Sequence, residues 1–205
     1  MAHNKSYNSP WSLKFNTAAL VLIPAAVGIN YLGKLFVGML HLPLWMDSIG
    51  TCLAGCLAGP VVGALCGAIN NIIYGLTMSP ISMVYALSQA GIGIVVGLMA
   101  YYGRMRTIGG ALLTGLLAGL AAICISTPLN IIFWGGTTGN IWGDAVYAVC
   151  LANNQPVWLA STFDEIIVDL PDKIVTILIV MGMYSNMPKS LLSLYQSNGK
   201  IESLD

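Results

Sequence analysis

Asp169-Leu170-Pro171-Asp172-Lys173 leads straight into an apolar stretch, Ile174 to Met183, in a chain that carries little other charge. Ionisable side chains at the mouth of so apolar a helix are costly in lipid, so they need partners, water or a ligand. The fold must therefore enclose a polar site among apolar helices. Only 8% of the 205 residues are charged and 57% are hydrophobic, whereas a soluble domain carries about 25% charged residues. At about 20 residues per span plus short loops, the length suffices for roughly six spans and leaves no room for a separate soluble catalytic domain. The net charge is zero and no basic cluster is large enough to grip nucleic acid, so the bilayer, not a nucleic acid, is the expected partner.

Six apolar runs are candidate spans. They cover about Lys14 to Leu32, Leu44 to Ala58 (short for a full span), Pro60 to Leu76, Ile81 to Tyr102, Ile108 to Trp134 and Phe163 to Met187. Gly59-Pro60 breaks the second from the third, with Pro placed to open a helix. The first run ends in no clear small-residue cleavage pattern, so a retained helix is expected rather than a removed signal peptide. Basic residues set the orientation. With the N-terminus inside, Lys5, Lys14, Arg104, Arg106, Lys189 and Lys200 are all cytoplasmic, and only Lys34 lies in an outside loop. The expectation is an all-α integral membrane protein: one domain over residues 1–205, a bundle of six transmembrane helices with both termini cytoplasmic. Residues 1–13 and 190–205 are short polar tails. The segment Gly135 to Trp158 is then the longest outside loop, and its Trp142, Tyr147 and Trp158 suit a membrane interface or a lid. Gly33 to Pro43 is the other candidate lid.

Gly55, Gly59, Gly63 and Gly67 recur every four residues, and Gly93/Gly97 and Gly115/Gly119 repeat the spacing. Small residues at this interval let helix backbones approach closely in lipid. The ladders suit ordinary bundle packing, or a smooth surface that another membrane subunit can grip. Ala18, Ala19, Ala25 and Ala26 form a small-residue face around Pro24 that is either an intersubunit face or an internal seam. The five cysteines sit in Gly/Ala/Leu sequence and read as small packing residues. Cys52 and Cys56, four apart, faintly suggest a metal, but the two histidines lie far from them or outside the apolar runs, and no metal site is expected.

Polar residues converge at one depth. Asn70, Asn71 and Tyr74 lie near the outer end of the third run, Tyr85 and Gln89 share a face of the fourth, and Asn130 and Trp134 close the fifth. Asp164, Glu165, Asp169, Asp172 and Lys173 approach from the sixth, and Asp47, two residues after Trp45, is a further candidate. Aromatics with a few amides and carboxylates are the usual lining of a small-molecule site. Each residue alone could equally serve helix-to-helix hydrogen bonding. Lys173 is four residues from Asp169 and can pair with it across one helix turn; otherwise a carboxylate is left for an amine or cationic ring. With Lys173 as the basic residue near the site, a neutral or weakly cationic heterocycle is expected rather than a strong anion. Nucleophile-elbow, zinc-protease and P-loop signatures are missing, so neither an enzyme nor an ATPase is expected, and no cofactor is called for.

At Leu44-Trp45-Met46-Asp47-Ser48-Ile49-Gly50-Thr51, at the Ala/Gly-rich Leu53 to Asn71, and at Asp169-Leu170-Pro171-Asp172-Lys173-Ile174, the chain resembles the substrate-binding S components of energy-coupling factor (ECF) transporters for vitamins. The resemblance covers about Leu13 to Leu192. It implies a membrane-embedded binder that captures a vitamin-like small molecule from outside and works with a transmembrane coupling subunit and two cytoplasmic ATPases. In that family an AxxxA motif on the first helix meets the coupling subunit. The pairs Ala18-Ala19 and Ala25-Ala26 depart from it, which leaves the docking face open. The family's gating loop would here be Gly33 to Pro43. A sensor or scaffold module is the rival reading. A secondary transporter would need two inverted halves with matched broken helices, which are not apparent.

Overall fold

A computed structural model of the chain describes residues 10–11 and 17–195, and these are all-helical. Lys5, Lys14 and Lys200, which bear on the orientation, lie outside the described residues. The helices are α1 (Thr17–Leu40), α2 (Ile49–Ala58), α3 (Pro60–Thr77), α4 (Ala86–Tyr101), α5 (Ile108–Trp134), α6 (Ile141–Ala152), α7 (Val157–Ser185) and α8 (Lys189–Ser193). Tight 3-10 turns at Pro80–Met83 and Arg104–Arg106 precede α4 and α5. Among the described residues there are thus eight helices where six runs were expected. Three of them, α1, α3 and α5, are long and apolar enough to cross a membrane.

The second run shows why length matters. Its helix has 10 residues, and at 1.5 Å per residue that is about 15 Å, half the thickness of a bilayer core. Residues 42–48 form a non-helical segment that folds back from the end of α1 and delivers α2 into the middle of the bundle, where every residue from Ile49 to Leu57 is buried. A helix that starts inside an apolar bundle must have its free N–H groups satisfied by protein. Asn30 of α1 does this: its Oδ1 accepts from the Gly50 and Thr51 amides at 2.7 and 3.3 Å, and its amide donates to the Thr51 hydroxyl at 2.8 Å.

Glycines set how closely the helices approach. Gly59, at φ +91°, reverses the chain between α2 and α3. A Cβ on Gly93 would lie 2.4 Å from the Gly63 carbonyl carbon, and one on Gly97 would lie 2.4 Å from Pro60 Cα. The ladders therefore knit α2, α3 and α4 together, while Gly115 seats α5 against Ile174 of α7. Cys52, Cys56 and Cys66 pack in this core beside Leu53, Val96 and Ile177. Of the alanine face, Ala19 and Ala26 are buried, and Ala26 lies against Gly50. These two belong to an internal seam rather than a docking face. Ala25 is exposed and Ala18 half-buried.

Three boundaries are corrected. Residues 33–40, expected in a lid, are the last turns of α1. The expected loop Gly135 to Trp158 contains α6, which starts because Asn140 caps it by accepting from the Trp142 amide at 3.0 Å. The last long helix starts at Val157, not near Phe163, and its acids and Lys173 all face inward. At the far end of the bundle, the Tyr195 hydroxyl donates to the Ala18 carbonyl at 3.5 Å, so the two described ends meet.

Candidate functional site

Where α1, α3, α4 and α7 enclose the folded-back segment 42–48, they leave a cavity of about 270 Å³. Lys34 comes from α1, Trp45 and Asp47 from the segment, Asn71 and Tyr74 from α3, and Gln89 from α4 with Tyr85 at its N-terminus. From α7 come Glu165, Asp169 and Lys173, one helix turn apart in succession, which puts them on one face. Ser82, Ser88, Ser126 and Thr138 add hydroxyls to the wall.

Ion pairs hold the floor together. The Lys173 ammonium lies 2.5 Å from Asp172 Oδ2, 3.5 Å from Asp169 Oδ1 and 3.7 Å from Asp47 Oδ1. Pairing is therefore not confined to Asp169. The other oxygen of Asp172 accepts from the backbone amides of Trp45 and Met46 at 3.0 and 2.8 Å, which anchors the folded-back segment to α7. Asp47 in turn accepts from the Gln89 amide at 2.7 Å and pairs with Lys34 at 3.5 Å.

A second chain of polar contacts lines the α5 side. The Tyr85 hydroxyl donates to Asn130 Oδ1, and the Asn130 amide donates to Glu165 Oε1. Lys34 sits 4.6 Å from the centre of the Tyr74 ring and 5.8 Å from that of Trp45, a cation over two aromatic faces. Its amine also donates to Ser82 Oγ at 3.2 Å.

Of the residues expected at a site, Asn71, Tyr74, Tyr85, Gln89, Asp169 and Lys173 reach the cavity wall. Asn70, Asn130 and Asp172 stand behind it and orient those that do: Asn70 donates to Asn71 Oδ1 at 3.1 Å. Trp134 is half-buried at the end of α5 and stands behind the wall, beside the Tyr85 side chain. Asp164 instead secures the loop before α6, accepting from the Thr138 hydroxyl at 2.9 Å, and Gly143 passes so close that a Cβ would lie 1.9 Å from its Oδ1. Lys34 is the residue that sequence reasoning placed wrongly. It faces the cavity, so Lys173 is not alone there, and both lysines are already paired with carboxylates.

Comparison with known proteins decides nothing further. No family model, curated protein or solved structure matches the chain. The site must be read from its own chemistry. Fixed donors, acceptors and ring faces around an enclosed volume are suited to holding a small molecule.

Proposed function

We propose that the protein is the membrane-embedded substrate-binding subunit of an ECF-type transporter, which captures a vitamin-like small molecule from outside the cell membrane and relies on partner subunits for uptake. The observation that carries this reading is the polar cavity walled by α1, α3, α4 and α7 and floored by the ion pairs around Lys173. Arg104, Arg106 and Lys189 sit at or beyond the opposite helix ends, which favours that end facing the cytoplasm and the cavity facing out. The chain carries no phosphate-binding signature, so the reading assigns ATP hydrolysis to two cytoplasmic ATPases and force transmission to a transmembrane coupling subunit. An open apolar groove beside Pro24, Gly28 and Ile73, between α1 and α3, supports a helix-docking face for that subunit.

Affinity purification from the native membrane tests this. Co-isolation of a coupling subunit and two ATPases, with ATP-dependent uptake in reconstituted vesicles, is the expected result. A chain that retains a small molecule yet isolates with no ATPase would favour a sensor or scaffold instead.

A further inference from the structure

Charge around the cavity does not balance. Asp47, Asp169 and Asp172 share the Lys173 ammonium, and Lys34 adds a second positive charge through Asp47. Glu165 stands outside these ion pairs. It lines the cavity one turn from Asp169, is 2% exposed, and accepts from the neutral amide of Asn130. With all six groups ionised, four carboxylates face two ammoniums, an excess that a low-dielectric interior tolerates only with a proton shared between Glu165 and its hydrogen-bonded neighbour Asp169 or with a compensating cation. Gln89 supplies an independent sign. Its amide nitrogen is taken by Asp47, which leaves its Oε1, on a side chain 3% exposed and lining the same cavity, with no hydrogen-bond partner among the described residues. A buried acceptor of this kind calls for a donor from the occupant.

We propose that the cavity selects a flat, cationic, nitrogen-rich ligand, an amidinium or protonated aminoheterocycle, whose N–H edge meets Glu165, Asp169 and Gln89 Oε1 while its ring stands against Tyr74 and Trp45. This rests on the binding-subunit reading and narrows the class of ligand. Carboxylate and phosphate groups are excluded, because both lysines are already neutralised by carboxylates. Fork-shaped N–H donors match paired carboxylate and carbonyl acceptors well, and aromatic faces favour a cation beside them.

Three probes of one shape and different charge, benzamidine, benzamide and benzoate, test the assignment on the purified full-length chain in detergent. The readouts are the thermal unfolding midpoint and the quenching of tryptophan fluorescence. Benzamidine is expected to raise the midpoint saturably and to bind at least tenfold more tightly than benzamide, with benzoate showing no effect. Glu165→Gln keeps the Asn130 contact and should cut the preference for benzamidine over benzamide by at least tenfold; Gln89→Leu should weaken both. The proposal is overturned by a preference for benzoate, by an unchanged preference in Glu165→Gln, or by no binding of any probe up to millimolar concentrations. Co-isolation with ATPases is measured separately, so a chain that joins a transporter but prefers benzoate would sink the charge assignment alone.

Discussion

At the scale of single residues, the fold depends on a few polar side chains that complete one another in an apolar interior. Asn30 satisfies two backbone amides and a hydroxyl at the start of α2. A buried group left unsatisfied costs about 1–3 kcal/mol, so Asn30→Ala should lose about 2–4 kcal/mol of stability. Denaturant titration in detergent checks this, and a loss below about 0.5 kcal/mol would mean that water replaces the cap. Lys173→Met should be worse, at about 3–5 kcal/mol, because it strands the carboxylates gathered around the ammonium. Adding Asp172→Asn to Lys173→Met should recover part of the loss; strict additivity would show that the two groups are not coupled.

Glycine contacts decide the outcome at the scale of elements. Gly93 meets the backbone of α3, whereas a Cβ on Gly28 would meet nothing within 4 Å. Gly93→Ala should push α3 and α4 apart and cost about 1–3 kcal/mol, while Gly28→Ala should be neutral or slightly stabilising through helix propensity. Equal midpoints for the two variants would refute the packing account. The same elements show what was legible in the sequence. Glycine spacing announced the tight helix contacts, and the acids of α7 stood out because charge is so rare in this chain. Lys34 was hidden because Gly33 and a lysine look like a helix end, yet α1 continues to Leu40 with Lys34 facing Asp47. In α6 a capping Asn140 stands ahead of twelve mostly apolar residues, a start signal masked by the glycines before it and the amides Asn153-Asn154-Gln155 behind it. Nothing local could have revealed that Asp172 bonds backbone amides 126 and 127 residues away.

Across the whole molecule, the cavity lies towards one end and the described chain ends meet at the other. With the proposed orientation, a membrane-impermeant maleimide should label Gly139→Cys from outside intact cells and Ser190→Cys only after the inner face is opened. Cys124 is exposed and Cys150 of α6 is half-buried, so these variants are best made after both are replaced. Labelling of both positions from one side would overturn the proposed sidedness. The convergence of polar groups could be foreseen at this scale because charges in so apolar a bundle must gather. The helix count could not, since α2 and α6 are apolar like true spans but too short to cross.

The burial of α2 has a consequence for biosynthesis. A ten-residue helix cannot enter the bilayer as an independent unit, and its entry segment is fastened by Asp172, which the ribosome adds long after Trp45 and Met46. During synthesis α2 can pack on α1, α3 and α4 as they emerge, while the segment that leads into it stays unfastened until α7 arrives. The entrance to the central helix is among the first parts made and the last to be tied down.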